Sequence, residues 1–278
     1  MPGSGTVREE ARQVIVHVTH GKRPNVKVVA VYSTKGGVGK TTTAVNLAAE
    51  ASTDFRVLLW DLDPQGGATF LLQVKPKLKG GVEALVSGRS DVEDAIRSTS
   101  IKNLDVLPAD ASYRTLDLVF DQAKKSEQRI SKVLEQIADS YDVVVLDCPP
   151  GASLVAENAI FSADLVVVPL VPSPLSLRSL DQVAEFVADS VSAAPVMAFL
   201  SMVDRRKTVH RDAVRELPRS HASVTNIVVP STVIIERMGV ERAPIASYAP
   251  NTPAALAFSD LWVRVQSTIK AKPHKKKH

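Results

Sequence analysis

Val26-Lys27-Val28-Val29-Ala30-Val31-Tyr32-Ser33-Thr34-Lys35-Gly36-Gly37-Val38-Gly39-Lys40-Thr41-Thr42 decides how the chain is read. An apolar run leads into a glycine-rich turn, and the turn into a segment of helical character at 43–51. A strand, a turn and a helix start in that order make a phosphate cradle. Backbone N–H groups of the turn and the positive end of the helix dipole converge on one anion. Glycine lets the backbone wrap closely around it. In such a cradle Lys40 reaches the β- and γ-phosphate oxygens, and the Thr41 hydroxyl ligates Mg2+. The general pattern G-x-x-x-x-G-K-[ST] asks for a glycine where Thr34 stands, so the strict form is not met.

What stands there is K-G-G-V-G-K-T-T, with a second lysine, Lys35, at its start. This resembles the deviant Walker A box of the ParA/MinD family of P-loop ATPases. The resemblance implies a doubly wound α/β fold, a mostly parallel sheet with helices on both faces. It also implies ATP and Mg2+ as cofactors, with Lys35, Gly36, Gly37, Val38, Gly39, Lys40, Thr41 and Thr42 around the nucleotide. In that family the first lysine, here Lys35, crosses a dimer interface to the partner's nucleotide.

Two further stretches extend the match. Arg56-Val57-Leu58-Leu59-Trp60 reads as a buried parallel strand delivering Asp61-Leu62-Asp63-Pro64-Gln65-Gly66-Gly67. Alternation turns Asp61 and Asp63 to one side, at a strand end where open α/β sheets bind ligands. Taken alone, Asp-Pro and Gly-Gly are equally ordinary turn formers. The stretch resembles the family's D-x-D-P-Q-G switch, with Gly67 where Asn is commoner. The resemblance gives Asp63 the attacking water and makes Asp61 an outer partner of the metal. Tyr141-Asp142-Val143-Val144-Val145-Leu146-Asp147-Cys148-Pro149-Pro150-Gly151 has the form of a Walker B strand. Its D-x-P-P-G continuation also matches the family, and Asp147 would hold Mg2+ through its water shell.

Further strands are expected at 104–108, 165–172 and 195–204, and helices at 128–140, 176–191 and 253–269. By resemblance alone, Asp204 and Pro230 are placed near the adenine. Arg205, Arg206, Lys207, Arg211, Arg215 and Arg219 follow, with 207, 211 and 215 at i,i+4 spacing. Such a face is as often merely solvated as DNA-binding. The family's ATP-bound dimers bind DNA non-specifically through basic residues of this half, which makes these six the candidate DNA contacts.

The net charge is +4, and the tail at 270–278 carries five lysines and no acid, so the rest of the chain is slightly acidic. A nucleic-acid site in the body must therefore be a local cluster. Three parts are expected: an extension at 1–25, an ATPase domain at 26–269 and the basic tail at 270–278. The extension holds an alternating stretch at 14–18, suited to an edge strand or a partner contact. No apolar run approaches a membrane span and no signal-peptide pattern opens the chain, so a cytoplasmic protein is expected, and the resemblance implies that it associates with the nucleoid. The lone Cys148 excludes an internal disulfide or a cysteine-held cluster, and with them the iron–sulfur and arsenite branches of the lineage.

The resemblance then implies an ATP-dependent homodimer that positions a chromosome, plasmid or protein cargo with a ParB-like or adaptor partner. The alternative is a MinD-like ATPase working at the membrane. Phe258, Leu261, Trp262, Val265 and Ile269 would supply its apolar helix face, unless they close the core.

Overall fold

In the computed structural model, residues 26–122, 128–189 and 194–272 are described; the extension at 1–25 and the tail beyond 272 lie outside them. The strands are β1 (Lys27–Val31), β2 (Val57–Asp61), β3 (Arg97–Ser98), β4 (Leu104–Leu107), β5 (Val143–Asp147), β6 (Leu165–Leu170), β7 (Val196–Val203) and β8 (Val224–Pro230), all but the polar β3 drawn from apolar runs. They form one sheet in the order β3-β4-β2-β5-β1-β6-β7-β8. Every pairing is parallel except the short antiparallel β3.

Period-2 alternation divides the central strands between two apolar layers. Val28, Ala30, Leu58, Trp60, Val144 and Leu146 face one layer. It is closed by α3 (Gly81–Val86), α4 (Leu116–Asp121), α5 (Arg129–Ile137), α6 (Leu154–Ser162) and α7 (Pro174–Asp189). Val29, Val31, Val57, Leu59, Val143 and Val145 face the other. That one is closed chiefly by α1 (Lys40–Ala51) and α12 (Pro253–Ile269). A sheet covered on both sides needs apolar residues at every position of its strands, which accounts for their unbroken aliphatic runs.

Helix α12 settles the use of its apolar stripe. Phe258, Leu261, Trp262, Val265 and Ile269 are all buried in the second layer, with the Trp262 ring edge-on to Phe55 at 5.7 Å. Burial of such side chains is worth roughly 1.5–3 kcal/mol each. The stripe is therefore committed to the core, and Leu256 and Val263 are the large apolar residues the helix leaves exposed.

Two strands go beyond the sequence expectation. β3 has only two residues, and β8 is an edge strand whose polar Thr225 and Asn226 interrupt its apolar run. The basic helix α8 (Thr208–Ser220) also begins later than its charges suggest. Lys207 is its extended N-cap residue, so the helical part of the basic face starts at Arg211 rather than at 207.

Candidate nucleotide site

Strand register assembles the site. Val31 lies opposite Asp147 on one side, and Asp61 lies opposite Asp147 on the other. The glycine turn and both buried carboxylates thus leave three adjacent strands at one level, beyond the C-terminal ends where open α/β sheets place ligands. The turn opens α1 through Gly39, whose φ of 96° suits glycine. A Cβ there would also approach the Ser201 hydroxyl oxygen to 3.2 Å. Ser201, buried at the end of β7, donates to the Val38 carbonyl at 2.9 Å and ties the turn to the sheet.

Lys40 is buried, and its Nζ donates to the Lys35 carbonyl at 3.0 Å, folded back over the turn. Burial lowers its pKa, against the pull of Asp147 and Asp63. Asp147 is fully buried, and among the described residues neither of its carboxylate oxygens accepts a hydrogen bond. Burial pushes this carboxyl well above the ordinary range and Asp61 adds to the push, opposed by the Thr41 hydroxyl and the Lys40 ammonium. A buried carboxylate without a donor is costly unless a cation meets it.

Asp61 differs. Its Oδ2 accepts from the Thr69 backbone N–H at 2.8 Å and from the Thr69 hydroxyl at 2.7 Å. Its Oδ1 accepts from the Asp63 backbone N–H at 3.3 Å. Burial still raises its pKa to about 6, the Thr69 bonds working against the rise. Asp63 is half-buried at the cleft, its Oδ1 accepting the Gln65 N–H at 2.9 Å. Cys148 is buried, and its thiol is raised by that burial, as an inert packed cysteine would be.

A cleft of about 360 Å³ lies over the turn. Gly36, Gly37, Gly39, Lys40, Thr41, Thr42 and Asp63 line it, all of them singled out from sequence. Gly67 approaches Thr41 so closely that a Cβ would stand 3.1 Å from the threonine methyl. Lys35, Val38, Asp61 and Asp147 are not among the lining residues. At its far end the cleft is lined by Ser201, Met202, Val229 and Ile235, none of which any sequence motif marked. Asp204 and Pro230 are not among the lining residues. Asp204 is instead held by a two-pronged contact from Arg206, both bonds at 2.9 Å, which lowers its carboxyl to about 2.

Arg205, Arg206, Lys207, Arg211, Arg215 and Arg219 are all exposed. Arg206 is spent on Asp204, and Arg215 is shared between Asp212 and Glu216 at 2.9 Å each. Among the described residues Arg205, Lys207, Arg211 and Arg219 make no ion pair, so the cluster's usable charge sits on these four.

Comparison with known proteins agrees with this geometry. Residues 26–194 match the family described as an AAA domain. The sporulation initiation inhibitor protein Soj of Bacillus subtilis is 32% identical over 243 residues, covering 84% of this chain and 96% of Soj. The chromosome partitioning protein ParA of Caulobacter vibrioides is 32% identical over 247 residues, covering 85% and 92%. Among solved structures, cobyrinic acid a,c-diamide synthase from Mycobacterium smegmatis with bound ADP and magnesium superposes with a TM-score of 0.72. It is 26% identical and is covered over 98% of its length by 89% of this chain. Relatedness over nearly the whole ATPase domain, joined to a glycine turn, a D-x-D-P-Q-G switch and an aspartate-ended strand at one level of the sheet, makes this chain a member of the ParA/MinD family of P-loop ATPases.

Proposed function

We propose that the chain is a Mg2+-dependent ATP hydrolase. It acts as a dimeric switch that binds DNA non-specifically in its ATP state and positions or segregates a cargo. The observation that carries the reading is Asp147, a buried carboxylate that meets no hydrogen-bond donor at bonding geometry among the described residues, with the Thr41 hydroxyl and the Lys40 ammonium nearby. That donor set suits Mg2+, which the Thr41 hydroxyl and the Asp147 carboxylate would hold. The bound ion supplies charge neutralisation to the phosphates.

The chain's own residues do the remainder. Turn N–H groups and the α1 N-terminus hold the phosphates. Lys40 leaves the Lys35 carbonyl for phosphate oxygens, and Asp63 orients the attacking water. Lys35 of the second protomer adds positive charge where negative charge develops. Loss of the γ-phosphate removes the charge that bridges the two protomers, and a ParB-like or adaptor partner hastens that step. Arg205, Lys207, Arg211 and Arg219, doubled in the dimer, supply phosphate contacts for DNA. The partitioning role follows the relatives named above, and the committed α12 core favours DNA over a membrane surface. On this reading the protein works in the cytoplasm, on the nucleoid.

Phosphate release from ATP, measured with and without EDTA, tests the first step. Turnover that needs Mg2+ and vanishes in Lys40→Ala is expected; a folded, monodisperse protein with no turnover, alone or with DNA, would overturn it.

A further inference from the structure

Asp61 and Asp147 read alike in sequence, each an aspartate closing an aliphatic strand, and they stand side by side in register. Their surroundings are opposite. Asp147 has no donor among the described residues, whereas both oxygens of Asp61 are engaged by the protein. Three donors meet Asp61, and two of them belong to one residue, Thr69 of α2 (Gly67–Leu71). The Thr69 hydroxyl in turn accepts the Ala109 backbone N–H at 3.0 Å, so it is saturated on both sides. Thr69 and Ala109 are buried.

We propose that Thr69 is a positioning residue for hydrolysis: through Asp61 it fixes the turn that aims Asp63 into the cleft, while metal holding falls to Asp147. Resting on the ATPase reading, this divides labour between the two carboxylates. The route is short. Thr69 clamps Oδ2 of Asp61; Oδ1 of Asp61 then holds the Asp63 N–H; the Asp63 side chain lines the cleft. On the far side, the Ala109 N–H anchors the clamp to the segment after β4, so the turn is braced against two strands' ends rather than one. A methyl in place of the hydroxyl keeps the volume of Thr69 but removes one donor from Asp61 and the acceptor from Ala109, leaving buried polar groups unmet.

The test compares Thr69→Val, Thr69→Ser and Asp61→Asn with Asp147→Asn. Thr69→Val should lower kcat about tenfold or more with KM for ATP within about twofold of the parent, the pattern of a group acting after binding. Thr69→Ser should restore most of it. Amide exchange at 62–69 and at 109 should rise in Thr69→Val while β1 stays protected, a readout that needs no activity. The ratio of fluorescent-nucleotide affinities with and without Mg2+ should hold in Thr69→Val and Asp61→Asn and collapse only in Asp147→Asn. Unchanged kcat and exchange in folded Thr69→Val, or an Asp61→Asn that loses Mg2+ dependence as Asp147→Asn does, would overturn the division. Should Thr69→Val fail to fold, Asp61→Asn decides it: exchange at 62–69 should rise while the Mg2+ ratio holds, and unchanged exchange would overturn the clamp. If the parent hydrolyses no ATP, the exchange arm still reads the clamp, so failure of the ATPase reading is distinguishable.

Discussion

At the scale of single residues, Asp147 carries a cost of ionisation in the free protein that a bound cation would relieve. A fully buried carboxylate that meets no donor among the described residues destabilises the free protein, and such sites commonly trade stability for function. Asp147→Asn removes the charge and keeps the shape. It should raise the melting temperature of the nucleotide-free protein by about 2–4 °C, the shift expected for roughly 1 kcal/mol in a chain of this size. The same variant should lose the further rise that Mg2+ with ATP gives the parent, and differential scanning calorimetry reads both. A free-state melting temperature below the parent's would show that the carboxylate is satisfied after all. Lys40 and Thr41 were legible because phosphate binding asks for those residue types in that order, whereas Asp63, an ordinary turn former when read alone, was picked out by resemblance; all three line the cleft. Thr69 and Ser201 were not legible. Each works through hydrogen bonds to residues distant in sequence, Thr69 to Ala109 and Ser201 to Val38, and neither pairing leaves a local pattern.

Among the elements, α8 changes the meaning of a basic cluster. In sequence, spacing aligned 207, 211 and 215 and resemblance made all six cations candidates alike, but Arg206 and Arg215 are held by acidic neighbours. Arg205→Glu with Arg211→Glu should therefore weaken DNA binding far more than Arg215→Ala, and flatten its salt dependence. Mobility-shift titrations at two salt concentrations measure both, and equal losses from the two constructions would contradict the assignment. Asp204→Asn should act in the reverse direction, releasing Arg206 and tightening binding a few-fold. The central strands were plain in sequence because two covered faces demand continuous aliphatics, and α5 and α12 because a buried stripe repeats every three to four residues. Edge strand β8 escaped because one side meets solvent and its polar residues dilute the run. The start of α8 escaped because charge spacing continues through Lys207 while the backbone turns extended there.

On the scale of the whole molecule, the nucleotide cleft lies at the C-terminal rim of the sheet, and the proposed dimer places a second copy across it. Lys35→Ala should still bind ATP yet remain a monomer in light scattering. Asp63→Ala should bind ATP and dimerise but cease to turn over, since Asp147 and Lys40 remain in place. Wild-type dimerisation in Lys35→Ala would remove the cross-protomer lysine from the mechanism. The shared level of Val31, Asp61 and Asp147 has a consequence for how such a gene can change in length. One extra codon inside β2 or β5 would carry its aspartate about 3.3 Å along the sheet and turn it to the opposite face. Two extra codons would restore the face but overshoot the cleft by a full pleat. Growth and loss of sequence are thus open to the helices and their connections, while these three strands are held to a fixed count of residues by the one level at which their ends meet.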